Sequence, residues 1–223
     1  MSDAAPAWAS GDGSATDRLT LADWRRRVAE LYVEVRAMAR TDPQIAHAHW
    51  RAVRERLFRE HPQSPVPAAD RVDFRAIHYP YDPAWRFVVA LQAVTPPDPG
   101  LPSLSLPNSG QDTLAFRRVG VVELPLPVGT RRLAVYWLSG YAGGLFLPFR
   151  DATNGTATYG AGRYLLDAAK SHDLGADETT GELVIDANFA TQPSCAFDPK
   201  WACPLAPPEN RLDVAIEAGE RLA

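Results

Sequence analysis

The sequence predicts an α+β fold, mainly β: an antiparallel barrel or sandwich with an N-terminal two-helix hairpin packed against it. Three observations carry this expectation. Apolar residues recur at helical spacing in two stretches before residue 61. Beyond residue 70 the pattern shortens to apolar runs of strand length, broken by Gly- and Pro-rich turns. No alternation of strand with helix follows, so a parallel sheet built from βαβ units is not expected.

The first helix is expected from Thr20, where Thr20 and Asp23 resemble a capping box. Leu21, Trp24, Val28, Leu31, Tyr32, Val35 and Met38 form its apolar stripe, and it stops near Arg40. Asp42–Pro43 starts the second helix, as an N-cap followed by proline at the first helical position. That helix ends before His61–Pro62, because a residue preceding proline avoids the α region. Neither amphipathic helix can bury its stripe alone, so they are expected to pair and to pack on the sheet. The segment from His61 to Pro67 reads as a rigid extended connector.

Strands are expected at Phe74–Tyr81, Arg86–Val94, Leu114–Leu126, Arg132–Leu138, Leu145–Phe149, Arg163–Leu166, Glu182–Ile185 and Leu212–Glu217. Gly120 is placed to bend or bulge the third of these. Thr95 to Asp112, rich in Pro, Ser and Gly, reads as a long disordered loop. The chain divides into a disordered tail at 1–18, the hairpin and connector at 19–68, and a β-rich domain at 69–223 that forms one unit with the hairpin.

With 223 residues, 46% hydrophobic and 22% charged, the chain has the composition of a globular protein large enough to fold without staples. A net charge of −4 excludes a general nucleic-acid binder, which needs a basic face. No apolar run reaches 18 residues, so no membrane helix is expected, and the N-terminus lacks the basic and apolar regions of a secretory signal. A cytoplasmic location is the resulting expectation. Lys170 and Lys200 are the only lysines.

The chemistry concentrates between Leu145 and Leu166, where Arg150, Asp151, Asn154, Tyr159 and Arg163 are crowded between apolar flanks. A guanidinium pairs bidentately with a carboxylate or phosphate, so two of them could hold an anionic metabolite or could pair internally with Asp151, Asp186 or Glu209. Asn188, Glu209 and Asn210 complete the candidate binding set, the last two carried by a loop stiffened by Pro204, Pro207 and Pro208. The oxygen-rich side chains lack the spacing of a calcium loop, and two cysteines without a nearby histidine make a poor zinc site, so no metal is assigned. Cys195 and Cys203 are open to three readings: packed thiols, a disulfide or redox pair, or a nucleophile with His61 or His78 as base.

An ordered set of short motifs carries a resemblance. They are His61-Pro-Gln-Ser-Pro65, Pro148-Phe-Arg-Asp-Ala-Thr-Asn-Gly155, Thr158-Tyr-Gly-Ala-Gly-Arg-Tyr-Leu165, Asp186-Ala-Asn188, Cys195, Cys203-Pro-Leu-Ala-Pro-Pro-Glu-Asn-Arg-Leu212 and Ala218-Gly-Glu220. Over roughly residues 50–221 the chain resembles the domain-of-unknown-function 1684 family of bacterial and archaeal proteins, and the resemblance implies no activity. Where that family commonly runs Asp-Phe-Asn and Tyr-Asn-Pro, this chain has Asp186-Ala187-Asn188 and Thr191-Gln192-Pro193.

These readings converge on binding, with or without turnover, of a small polar or anionic metabolite by Arg150, Asp151, Asn154, Tyr159, Arg163, Asn188, Glu209 and Asn210. No cofactor is assigned, and self-association into a homo-oligomer stays open. Two alternatives come from other classes. One is a non-catalytic scaffold or assembly protein whose polar motifs are internal braces and whose helices dock a partner. The other is a thiol-redox protein using the cysteine pair.

Overall fold

In the computed structural model, residues 14–94, 104–106, 114–139 and 143–222 are described. Helix α1 spans Ala15–Ala39 and α2 spans Pro43–Glu60. The start of α1 lies five residues before the expected Thr20, because Ser14 and Asp17 form the capping box. Asp23 is occupied elsewhere: it pairs with Arg27 at 2.7 Å and with the His61 ring at 3.2 Å. Asp42 caps α2 as expected, accepting from Gln44 and Ile45. The expected disordered tail falls partly on residues 1–13, outside the described residues; its remainder, 14–18, caps and begins α1.

The connector after α2 is compact rather than extended. The Arg71 guanidinium reaches back into it and donates to the carbonyls of Val66 and His61 at 2.9 and 3.2 Å, and to those of Pro62 and Ser64. One fork satisfies four backbone acceptors that have no helix or sheet to pair with.

The strands are β1 (Arg86–Val89), β2 (Gln92–Ala93), β3 (Leu104–Leu106), β4 (Leu114–Leu126), β5 (Gly129–Leu138), β6 (Leu145–Phe149), β7 (Arg163–Asp167) and β8 (Leu183–Asp186). All pair antiparallel. The larger sheet runs β2-β4-β5-β6-β7, with β3 also on β4, and β1 and β8 form a second, two-stranded sheet. The order does not close on itself among the described strands, so the arrangement is sandwich-like rather than a barrel. The register slips between Arg118 and Gly120, where a Cβ on Gly120 would lie 2.7 Å from the Gln92 carbonyl. The expected long loop is interrupted by β3; its other residues from 95 to 112 lie outside the described ones.

Two expected strands are absent, for different reasons. Phe74–Tyr81 meets a neighbour only at the His78–Glu220 bridge, and Pro80 removes the next donor. Leu212–Glu217 pairs with the backbone of residues 150–152 only as far as Val214, and beyond it the Ile216 backbone is satisfied by side chains, as described below.

The main core lies between the sheets. Phe87 and Val89 from β1 and Ile185 from β8 meet Val122, Leu124, Leu133, Val135, Leu147 and Phe149 from the larger sheet. The hairpin buries Leu31, Tyr32, Val35 and Trp50 against Leu174, Val184 and Phe189. The apolar stripe of α1 is therefore used within the fold. A third cluster, Phe116, Ala134, Tyr136, Phe146 and Tyr164, covers another part of the larger sheet. None of the described helices is long and apolar enough to cross a membrane.

Candidate functional site

Most of the sequence-predicted residues are drawn together, but into an internal brace. Strand β7 delivers Arg163 fully buried, and the turn after β6 delivers Asp151, with 2.8 Å between Arg163 Nη2 and Asp151 Oδ2. The guanidinium also donates to the carbonyls of Ala218, Glu220 and Ile216. Asp151 Oδ2 accepts from the Ile216 amide at 2.9 Å, and its Oδ1 accepts from the amide and hydroxyl of Thr153. The pair thus satisfies the backbone of the C-terminal segment from Ile216 to Glu220, beyond the reach of its pairing with residues 150–152. Burial pulls the Arg163 pKa down, and the Asp151 carboxylate opposes it.

Asn154 closes the turn, accepting from the Asp151 amide and donating to Thr158 Oγ1 and the Tyr159 carbonyl. Arg150 donates to the Gly160 carbonyl. Its backbone exchanges bonds with the C-terminal segment, accepting from Leu212 and donating to Asn210. Gly162 sits at φ +104°, with Phe149 O 2.5 Å from where a Cβ would stand. Gly162→Ala is expected to lower stability by about 1–3 kcal/mol from the dihedral alone, before the clash is counted. A urea-denaturation midpoint equal to that of the natural chain would reject this.

Asn210 acts as a pseudo-strand: its amide side chain accepts from Ala134 N at 2.8 Å and donates to Ala134 O and Pro148 O, joining β5 and β6. Glu209 is exposed and accepts the Tyr136 hydroxyl at 2.5 Å. Asn188 lies apart from these, fastening the Asp82 backbone to β8 while donating to Asp186 Oδ1. Burial raises the Asp186 pKa, and Arg86 Nη1 stands 3.6 Å from its Oδ2. Of the predicted set, Arg163, Asp151, Asn210 and Asn188 are at most 6% exposed, and each bonds at least one backbone group. The expected pocket at 150–163 is filled by these internal bonds, because carbonyls of irregular segments need donors when buried.

Tyr159 belongs elsewhere. Its hydroxyl hydrogen-bonds Cys195, and burial with that bond pushes its pKa up to about 12. Cys195 and Cys203 are buried thiols, not joined by a disulfide, and the Cys195 amide lies 3.3 Å from Cys203 Sγ. The cation acting on Cys203 is Lys170. His61 is bonded to Asp23 and His78 faces Glu220, so neither histidine completes the expected nucleophile–base pair. Among the described residues no group of three metal-ligating side chains comes together.

An open, mainly apolar cavity lies on the other side of the larger sheet, beneath residues 21–28 of α1. It measures about 550 Å³, within the range of small-molecule pockets. Phe116, Leu138, Leu145 and Phe146 form its floor, Leu21, Trp24 and Val28 its roof, and Trp201 and Cys203 a wall. Trp201 is fixed by donating Nε1 to the Pro65 carbonyl at 3.1 Å. Arg25, Asp167, Lys170 and Ser194 supply the polar groups. Lys170 Nζ stands 3.3 Å from Asp167 Oδ2, and its side chain is 61% exposed. The Asp167 charge raises the Lys170 pKa, so it is cationic at neutral pH. Sequence reasoning missed this cleft. Its residues come from α1, four strands and the loops between them, so no single stretch of the chain marks it.

A family model described as "Protein of unknown function (DUF1684)" matches residues 73–221. Among solved structures, the chain is similar to the solution NMR structure of an uncharacterized protein of Haloarcula marismortui. The two are 32% identical with a TM-score of 0.55, and the match covers 77% of this chain and 90% of the other. No curated protein matches.

Proposed function

The chain belongs to the DUF1684 family, and from that premise we propose that it is a small-molecule-binding protein whose site is the cleft under α1. Its ligand is a small amphiphile with an anionic end. The observation that carries this reading is the coincidence, in one cavity of about 550 Å³, of a continuous apolar lining with two cations, Lys170 and Arg25. The apolar walls supply affinity through burial, roughly 25 cal/mol per Å². The cations select the charge of the head group, and a carboxylate on Lys170 would compete with Asp167, which is 8% exposed and fixed on β7. The anionic metabolite expected from the sequence is kept in this reading, but it moves from the arginine brace to the lysine cleft and acquires an apolar body.

Trp24 and Trp201 line the cleft, so their fluorescence reports on it. Titration with straight-chain carboxylates from octanoate to tetradecanoate is expected to change that fluorescence. Ligand at a hundredfold excess over Kd stabilises by about 2.7 kcal/mol, which raises the midpoint of a chain this size by roughly 5–10 °C. Lys170→Ala should weaken carboxylate binding while leaving an alcohol of equal length unaffected, and Val28→Trp should exclude both. No response to any chain length in the natural protein would overturn the reading.

A further inference from the structure

We propose that Cys195 and Cys203 form a peroxide-responsive dithiol–disulfide pair in the wall of the cleft. Cys203 Sγ lies 3.3 Å from the Cys195 amide, and the neighbouring Cys195 thiol helps hold the proton on Cys203. Only seven residues separate them, in a segment that makes successive tight turns from Ser194 to Trp201. A disulfide requires Cα atoms about 4.4–6.8 Å apart, and a Cys203 sulfur already 3.3 Å from the Cys195 amide can reach the Cys195 side chain by rotation and a small backbone adjustment.

Access and reactivity are asymmetric. Cys203 lines the cleft whereas Cys195 does not, so a small neutral oxidant entering the cleft meets Cys203 first. The Lys170 ammonium favours its thiolate, while the bond to Cys195 and burial hold the proton on. The pair therefore rests as dithiol and reacts slowly, suited to sustained rather than transient oxidant. In the first step Cys203 sulfur attacks hydrogen peroxide: an S–O bond forms, the O–O bond breaks, and hydroxide leaves as water with the thiol proton. In the second, Cys195 sulfur attacks the sulfenic sulfur: the S–S bond forms, the S–O bond breaks, and a second water leaves. Two thiols are oxidised and one peroxide is reduced. Tyr159, bonded to Cys195, would lose that partner, and the cleft wall would shift where Cys203 borders it.

The proposal is independent of what the cleft binds. Reduced protein treated with hydrogen peroxide, unfolded and read by intact mass is expected to become about 2 Da lighter, with both thiols disappearing together under alkylation. Cys195→Ser should instead yield a sulfenic acid at Cys203 that a cyclic dione traps. Lys170→Ala should slow the loss of thiols severalfold, because the ammonium favours the Cys203 thiolate. Persistence of both thiols, or direct passage of the natural protein to sulfinic acid without the lighter species, would overturn it. Decanoate filling the cleft should retard the reaction. If decanoate fails to bind, the mass change without ligand still decides the matter, so the two readings fail separately.

Discussion

Arg163→Ala is expected to lower the thermal midpoint by roughly 6–20 °C. Removing one partner of a buried ion pair costs about 3–5 kcal/mol, because the other charge stays buried and unpaired. At this chain length each kcal/mol shifts the midpoint by roughly 2–4 °C. The informative comparison is the double variant Arg163→Met, Asp151→Leu. For an ordinary buried ion pair such an apolar exchange is often neutral or stabilising. Here the guanidinium and carboxylate also satisfy the carbonyls of Ile216, Ala218 and Glu220 and the Ile216 amide. Each orphaned group costs about 1–3 kcal/mol, so the double variant should remain strongly destabilised. Recovery of the natural midpoint in the double variant would show that the pair is not the partner of the C-terminal segment.

Acidification is expected to unfold the protein between about pH 6.5 and pH 4. Three buried histidines drive it. Burial lowers His47 and His78 to about 4 and His172 to about 3. His47 faces His78, Arg51 and the Asn188 carbonyl; His78 faces Glu220, Arg51 and Arg54; His172 faces Arg54, Glu220 and Lys170. Each is neutral when folded and binds its proton near pH 6.5 when unfolded. The unfolded state therefore takes up more protons as pH falls through 6.5, and stability declines until the folded groups protonate near pH 4 and below. Depressions of roughly 2.5 to 3.5 units are worth about 3–5 kcal/mol per histidine, so the three together approach the whole stability of a typical domain. Glu220 adds to the loss, since Arg54 holds its pKa low despite burial. Asp186, raised by burial, opposes it. Urea midpoints at pH 7, 6 and 5 measure the slope, and His78→Gln should reduce it by about one proton. A stability flat from pH 7 to 5 would contradict the neutral, buried state of these rings.

The same residues show what can be read from a linear chain. The density of polar groups from Arg150 to Arg163 is visible in the sequence, and so is its rarity in a segment with apolar flanks. Its purpose is not visible, because a fork that grips an anion and a fork that grips three carbonyls are the same side chain. Asn210 and Asn188 pose the same ambiguity, and the structure aims both at backbone. Trp24 reads as core from its place in the helical stripe, yet it stacks on Phe58 and also roofs the cleft. The start of α1 is missed because two capping patterns, Ser14–Asp17 and Thr20–Asp23, lie six residues apart, and Asp23 is engaged by Arg27 and His61.

By itself the sequence determined what depends on near neighbours in the chain. The two helices, the cap and proline of α2, the central strands from Leu114 to Phe149 and the bulge at Gly120 all follow from periodicity, caps and turn residues acting over a few positions. Tertiary structure alone decided whatever depends on partners far along the chain. It chose which extended segments become strands, since a ladder needs a continuous second backbone and Leu212–Glu217 keeps one only as far as Val214, side chains taking over at Ile216. It also placed an open cavity under α1 rather than at the arginines: there the guanidinium of Arg163 is taken up by Asp151 and three buried carbonyls, whereas the apolar face of the larger sheet beneath Trp24 has too few side chains above it to fill the space.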